Sequence, residues 1–529
     1  MKSKLLILSF LLLASCGGQQ IPKDIVILYT NDTHCGYDDH LGFASVAAMK
    51  KKSIAEGYPT LLVDCGDHLQ GSSYGMLSSG ECSIEIMNQV GYDLATIGNH
   101  EFDYGIDRLM ELVKKANFPY TCANFYKLSE DVPVFSPYSI QTVGDKKIGF
   151  IGIVTPTTLS ESTPKYFQNE AGEYIYGFKE GDDGENLYAC VQEAVDEIKS
   201  KGADYVIALS HLGVAESTAP YQSTDVIKNT SGIDVFLDGH SHTVIESEYH
   251  ENKEGAKVLL TQTGTKIETI GKLTIDVAGK IKAELVKTCD DRDSDVAGKI
   301  AAVKQRYDSM LSEVIAHTDS PLKIRDEDGN RIVRKSETNL GDLCADAFRE
   351  ALDSDIAVVN GGAIRDDLPA GEITLNDILV IAPFGNTMAK VSLTGQEIVD
   401  MLEYSVYMSP NEFGGFLQVS NLTFSYDASI QTCVTVDSLG RFQSIPGGAQ
   451  RRVKEVKIGG QPIDLTKDYS VGGADYILCG GGNGYPSFES KRLPLADILD
   501  WQVLKEFFET REDLSQYESL HGQNRIIAL

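Results

Sequence analysis

Gly98-Asn99-His100-Glu101-Phe102-Asp103 follows the apolar run Leu94-Ala95-Thr96-Ile97, which reads as a short buried strand. Gly98 lets the chain turn sharply where a side chain would obstruct it. Asn99 offers a neutral carbonyl oxygen as a metal ligand. His100 and Asp103 stand three residues apart, so one helical turn puts them on a common face. A carboxylate in reach holds such a ring in one orientation, as a general acid or a stabiliser of a charged transition state.

Four other segments carry the same chemistry. Asn31-Asp32-Thr33-His34 follows Ile25-Val26-Ile27-Leu28-Tyr29, and Asp64-Cys65-Gly66-Asp67 follows Leu61-Leu62-Val63. Ser210-His211-Leu212-Gly213 follows Tyr205-Val206-Ile207-Ala208-Leu209, and Gly239-His240-Ser241-His242 follows Ile233-Asp234-Val235-Phe236-Leu237-Asp238. Each cluster stands just past a candidate strand. In an open α/β sheet, side chains at the carboxyl ends of the strands converge on one crevice. Asp32, His34, Asp67, Asn99, His211, His240 and His242 are therefore expected to meet in one place.

The order Asp-x-His, Gly-Asp, Gly-Asn-His-Glu, His, Gly-His-x-His resembles the calcineurin-like metallophosphatase signature. With Asp103 and the C-terminal half described below, the chain is similar to the bacterial and animal 5′-nucleotidases and their UDP-sugar hydrolase and cyclic-nucleotide phosphodiesterase relatives. The resemblance covers nearly all of the chain after its first twenty residues. It implies an N-terminal four-layer α/β/β/α sandwich, a linker helix and a C-terminal α+β substrate-binding domain. It further implies one metal on Asp32, His34, Asp67 and His242, and a second on Asp67, Asn99, His211 and His240, with Asp67 bridging. This set mixes imidazole nitrogen with carboxylate and amide oxygen and has no thiolate. It suits Zn²⁺ or Mn²⁺, with Co²⁺ and Fe²⁺ also possible, rather than Ca²⁺. Two such ions ~3.5–4 Å apart deprotonate a water and neutralise phosphoryl oxygens for an in-line displacement. His100 would stabilise charge on the transferring group, with Asp103 orienting it. Asp64, Gln70 and Glu101 are expected to support the site or the fold.

The N-terminus reads separately. Lys2 and Lys4 precede an almost wholly apolar stretch, residues 5–13, too short to span a bilayer. It ends in Leu13-Ala14-Ser15-Cys16-Gly17. This is a secretory signal peptide over residues 1–15, and it resembles a bacterial lipobox. That resemblance implies lipidation at Cys16, a tether over residues 16–20 and export across the inner membrane. The mature chain is then periplasmic or on the cell surface; Gly17 fits an outer membrane where the cell has one. No later stretch is apolar enough to span a membrane, so the lipid is the expected membrane link.

The chain has 529 residues, room for two or three domains, and a net charge of −30. Such a charge repels nucleic-acid polymers. A small phosphate ester still binds, because dications and local arginines dominate at close range. Of ten cysteines, Cys16 is assigned to lipidation. The rest form no Cys-x-x-Cys motif, and their odd number argues against a disulfide framework. Cys35 and Cys65 adjoin ligand segments, so a pairing between them is one expectation.

From about residue 21 to 289, apolar runs alternate with helical patterns over residues 43–56, 83–90, 106–116 and 187–201. This alternation predicts βαβ units and a mostly parallel core. The runs at 257–262 and 270–277, with a turn at Gly279, predict a closing antiparallel part. Val296, Ile300, Val303, Tyr307, Met310 and Leu311 recur at helical spacing. They predict a helix over 290–318, either joining two domains or lying at the edge of one.

Residues 319–529 then form the second domain. Asn360-Gly361-Gly362-Ala363-Ile364-Arg365 follows a strand-like run, and Arg365 can fork onto a carboxylate or phosphate. With Pro383-Phe384-Gly385-Asn386-Thr387, Gly414-Gly415-Phe416-Leu417-Gln418 and Gly480-Gly481-Gly482-Asn483-Gly484-Tyr485, it resembles the nucleotide-binding part of the 5′-nucleotidases. The resemblance implies a base held between Phe416 and Tyr485, with Arg365 and Asn386 near the phosphate and the sugar or base. Lys491 stands where an acidic partner for a ribose hydroxyl is sought.

The reading is a phosphohydrolase of nucleoside 5′-monophosphates outside the cytoplasm. The alternatives are hydrolysis of UDP-sugars, nucleotide diphosphates or 2′,3′-cyclic nucleotides. The thiosulfate-releasing branch is opposed by the base-stacking loops. A non-enzymatic nucleotide-binding surface lipoprotein is opposed by the intact ligand set.

Overall fold

The computed structural model describes residues 23–169, 171–511 and 513–529. The expected signal peptide, the expected lipidation site Cys16 and the expected tether lie outside the described residues.

Strand Ile25–Thr30 is buried along its whole length. Ile25, Ile27 and Tyr29 face one core, and Val26 and Leu28 the other. Tyr205–His211 behaves alike, with Ile207 and Leu209 in the first core and Val206 and Ala208 in the second. A period of two with both faces apolar is the signature of a strand covered on both sides. The shared core therefore lies between two sheets stacked face to face. The outer faces are covered by helices such as Gly42–Ala55, through Phe43 and Val46, and Glu185–Ser200, through Leu187 and Val191. The result is the four-layer α/β/β/α sandwich.

One six-stranded sheet runs, in spatial order, Ile281–Val286, Ile270–Ile275, Ile25–Thr30, Thr60–Asp64, Leu94–Thr96 and Tyr120–Thr121. The last four are mutually parallel. The other runs Val244–Glu251, Lys257–Thr263, Val235–Asp238, Tyr205–His211, Lys146–Val154 and Tyr138–Val143, with a parallel middle and antiparallel edges. The closing part expected at 257–277 divides between the sheets, Lys257–Thr263 pairing antiparallel with Val244–Glu251 in the second and Ile270–Ile275 antiparallel with Ile25–Thr30 in the first. Lys257–Thr263 also runs parallel to Val235–Asp238 in the second sheet, whereas Ile270–Ile275 hairpins with Ile281–Val286 in the first.

The helix expected over 290–318 differs. Asp293 caps a helix over Ser294–Gln305, a short turn follows at Asp308–Leu311, and Val314–Thr318 is a strand paired with Gly371–Thr374. Val296, Ile300 and Val303 bury their stripe in the first domain's core, so this helix belongs to that domain's edge.

In the second domain a four-stranded sheet, Met388–Thr394, Asp468–Ala474, Ile356–Asn360 and Leu417–Ser420, separates two cores. Ile356 and Val358 face one, Ala357 and Val359 the other. The domains meet through an apolar hub of Met76, Leu311, Leu375 and Leu379. No helix among the described residues is long and apolar enough to cross a membrane.

Candidate active site

Every expected ligand stands at or just beyond the carboxyl end of a strand of the first domain. Five of the seven have left-handed backbone: Asp32 (φ 48°), His34 (43°), Asp67 (59°), His240 (73°) and His242 (53°). That conformation is costly away from glycine, and such residues cluster where a scaffold holds a functional geometry. Here it turns successive side chains back over the strand ends. Two glycines make the room. A Cβ at Gly98 would lie 2.2 Å from Asp67 Oδ1 and 2.7 Å from His211 Nε2, and one at Gly239 would lie 2.9 Å from Asp32 Oδ2.

The ligand atoms converge. His34 Nε2 lies 3.0 Å from His242 Nε2, and His242 Nε2 lies 3.3 Å from Asp32 Oδ1. Asp67 Oδ2 sits between the groups, 3.7 Å from His34 Nε2 and 3.1 Å from His211 Nε2. His240 Nδ1 is 2.9 Å from Asn99 Oδ1. Second partners set the tautomers. His34 Nδ1 donates to Gln70 O at 3.0 Å and His211 Nδ1 to Cys65 O at 2.7 Å. A carbonyl only accepts, so both rings aim Nε2 inward, as metal-ligating histidines do.

A divalent cation fits this set. Two groups, Asp32 with His34 and His242, and Asp32 with Asp67 and His211, each bring their ligand atoms within 4.8 Å of one another. Among the described residues, His211 Nε2 is buried without a well-aligned hydrogen-bond partner, although Asp67 Oδ2 lies near it. Burial lowers His34 to about 3, which keeps its ring neutral and its lone pair free. Burial also opposes charge on His211, yet Asp67 and Asp32 outweigh it and raise that ring to about 10. The carboxylates thus demand positive charge at this point.

His100 is not part of the ligand cluster. Its Nδ1 is 2.7 Å from Asp103 Oδ2, and its backbone N–H donates to Asp67 Oδ1 at 2.9 Å. Burial disfavours the imidazolium, but Asp103 and Asp67 outweigh it and raise His100 to about 9. The ring is a cation at neutral pH with Nε2 left to donate.

Both domains wall the cavity over this centre, about 860 Å³ in volume. The second domain contributes Arg331, Arg334, Arg365, Phe384, Asn386, Tyr407, Phe413 and Tyr476. Arg331 pairs with Glu412. Among the described residues, Arg334 and Arg365 have no carboxylate within 4 Å. Burial, with Arg365 and Arg331 nearby, lowers Arg334 to about 9, and among the described residues its Nε lacks a partner. Unpaired guanidinium groups of this kind await an anion. The Arg365 guanidinium lies 5.6 Å from the Phe384 ring centroid, and Phe384 stacks on His100 at 6.0 Å.

The aromatic pair expected from the sequence requires correction. Phe416 is 1% and Tyr485 3% exposed, both inside the second domain's core. The Tyr485 hydroxyl donates to Gly415 O. Neither ring borders the cavity; Phe384, Tyr407, Phe413 and Tyr476 do. Asn386 borders it, with Nδ2 donating to buried Asp500 at 3.0 Å. Lys491 pairs with Glu397, not with the cavity. Cys35 and Cys65 are buried free thiols. Arg331, Arg334 and Tyr476 escaped the sequence reading because no local pattern marks them. Phe384 lay within a stretch already singled out.

Comparisons with known proteins agree with this geometry. Residues 25–244 match the calcineurin-like phosphoesterase family model, and residues 314–490 match the 5′-nucleotidase C-terminal domain model. Protein UshA of Yersinia enterocolitica is 27% identical over 94% of this chain and 93% of its own. Endonuclease YhcR of Bacillus subtilis is 29% identical over 72% of this chain, which spans only 31% of that relative's length. The crystal structure of a 5′-nucleotidase precursor from Thermus thermophilus superposes with a TM-score of 0.77 at 27% identity, covering 96% of this chain and 99% of that one.

Proposed function

The chain belongs to the calcineurin-like phosphoesterases that carry a 5′-nucleotidase C-terminal domain, a family of metal-dependent phosphoric ester hydrolases, and on that premise we propose that it hydrolyses nucleoside 5′-monophosphates to nucleoside and phosphate. The observation that carries the reading is one cavity with a convergent nitrogen and oxygen ligand set on one wall and unpaired arginines on the opposite domain. That is the complement of a phosphate ester with an organic tail.

Asp32, His34, Asp67 and His242 would hold one divalent ion, and Asp67, Asn99, His211 and His240 a second, Zn²⁺ or Mn²⁺ by donor chemistry. When bound, the pair supplies Lewis acidity that activates water and neutralises phosphoryl oxygens. The chain's own residues do the rest. His100, kept protonated by Asp103 and Asp67, donates from Nε2 to an oxygen of the transferring group. Arg334 and Arg365 attract the phosphate end of the substrate, and the cavity's aromatic rings offer flat faces to a base. A substrate that fills a cavity walled by both domains displaces water from it, which strengthens each of these contacts.

A second reading rests on cavity volume. About 860 Å³ leaves space beyond a mononucleotide, so nucleotide diphosphates and diphosphate sugars are the rival substrates, with 2′,3′-cyclic nucleotides behind them. Phosphate release from AMP, UDP-glucose and a 2′,3′-cyclic nucleotide, measured in parallel with added Zn²⁺ or Mn²⁺, separates them. AMP turned over fastest supports the 5′-nucleotidase reading; no turnover of AMP overturns it.

We further propose that the protein works outside the cytoplasm, anchored by lipid at Cys16, and what supports this is residues 1–17 of the sequence. Cys16→Ala should release it from the membrane fraction.

A further inference from the structure

Glu101 lies in the same Gly-Asn-His-Glu stretch as Asn99 and His100, yet its side chain turns away from the cavity and is 1% exposed. Its carboxylate accepts four backbone N–H groups. Oε2 takes Asp67 N at 2.7 Å and Gly98 N at 2.5 Å; Oε1 takes His68 N at 2.8 Å and Leu69 N at 3.1 Å. Three of these donors lie on the loop that presents Asp67, and the fourth opens the loop that presents Asn99 and His100. The loops touch backbone to backbone, since a Cβ at Gly66 would lie 2.5 Å from Gly98 N. Two buried loops this close leave inward-pointing N–H groups without water, and an unpaired buried donor is costly. One carboxylate with two oxygens and about four lone-pair sites satisfies all four donors. Behind it, His68 sits 3.7 Å from Glu101 Oε1 and is pinned by Asp64 and the Tyr120 hydroxyl, each at 2.8 Å.

We propose that Glu101 is a positioning residue that joins the Asp67 and Asn99–His100 loops into one rigid unit, so that the metal ligands and His100 keep a fixed mutual geometry. The inference rests on the dinuclear reading above for its consequence, but the clamp itself is a property of the protein alone. It gives two neighbouring carboxylates different roles, since Asp103 orients a ring that faces substrate and Glu101 orients backbone that faces ligands. Glu101→Gln removes one of the two acceptor oxygens and turns an N–H₂ toward backbone N–H groups. Glu101→Asp keeps the charge but shortens the reach by one methylene.

The test uses full-length chelated protein, with Zn²⁺ as the probe. Zn²⁺ affinity is measured against a chromophoric chelator, and amide hydrogen exchange of the metal-free protein is read over residues 66–70 and 98–101. Glu101→Gln should bind Zn²⁺ ~10–100-fold more weakly and exchange its loop amides at least about tenfold faster, with second-domain amides unchanged. Glu101→Asp should fall between it and the wild type on both readouts. Unchanged Zn²⁺ affinity, or unchanged loop exchange, overturns the proposal. If Glu101→Gln perturbs exchange throughout, Glu101→Asp decides by the same two readouts. A wild type that binds no Zn²⁺ defeats the metal reading instead, and loop exchange in the metal-free variants still decides the clamp.

Discussion

His100 Nδ1 and Asp103 Oδ2 lie 2.7 Å apart, three residues from each other on one short helical turn. The carboxylate holds the ring's proton on Nδ1 and, with Asp67, sustains its positive charge. His100→Asn should therefore lower kcat by ~10²–10⁴ with metal content unchanged. Stoichiometric metal loss in that variant would make His100 a ligand.

The same pair sets a pH dependence. His100 must be protonated to donate, and its value is raised to about 9. Activity is then retained at neutral pH and lost as pH rises through about 9. Asp103→Asn removes the main charge that sustains the imidazolium, so the alkaline limb of kcat/KM should move to lower pH. An alkaline limb that stays in place refutes the assignment.

Asp67 Oδ2 faces both His34 and His211. Asp67→Ala should abolish activity, since it removes the shared anion between two cations. Wild-type protein should carry about two transition-metal ions per chain, and chelation should lower its Tm, because ions that bind only the folded state stabilise it. Metal analysis giving one calcium and no transition metal would end the dinuclear reading.

Phe416 and Phe384 should fail differently. Phe416 is core, so Phe416→Ala should cost ~3–5 kcal/mol of stability and impair AMP and p-nitrophenyl phosphate alike. Phe384 borders the cavity. A stacked base gains ~1–3 kcal/mol per ring, so Phe384→Ala should cost AMP about tenfold more in kcat/KM than it costs the baseless ester. Its contact with His100 adds a loss common to both substrates. Equal losses on the two would remove Phe384 from base recognition.

Asp500 links the cavity to stability. Its carboxylate accepts from Asn386 Nδ2 and Trp501 N, and burial raises it from 3.8 to about 7. Between those values the folded protein keeps a proton that the unfolded chain has released. Stability therefore falls as pH rises from about 4 to about 7, by up to ~1.4 kcal/mol per pH unit. Asp500→Asn should show a smaller change in Tm between pH 5 and pH 8 than the wild type. Thermal melts with the same pH slope would contradict this.

Much of the site was legible because its signals are local. Ile25-Val26-Ile27-Leu28-Tyr29 announces a doubly covered strand by composition alone, and the Asp, Asn and His residues follow such strands directly. Gly98 and Gly239 mark turns that no side chain could fill. The second domain was harder to read. Phe416 stands in a glycine-rich stretch that resembles a ligand loop, yet it enters strand Leu417–Ser420 pointing into the core. Residues 314–318 continue a helical pattern in the sequence but pair with Gly371–Thr374, a partner more than fifty residues away that no helical period reveals.

The sequence by itself determined where the strands of the first domain end and which side chains stand there, since periodicity, turn chemistry and ligand type are properties of neighbouring residues. Tertiary structure alone decided which further residues face that centre. Arg334, Phe384 and Tyr476 come from separate segments of another domain and join Arg365 and Asn386, the two residues of that wall expected from the sequence, at the cavity. Burial that depends on contacts between distant segments carries no local signature, so the candidate metal ligands were readable from the chain and the opposite wall only in part, through Arg365 and Asn386.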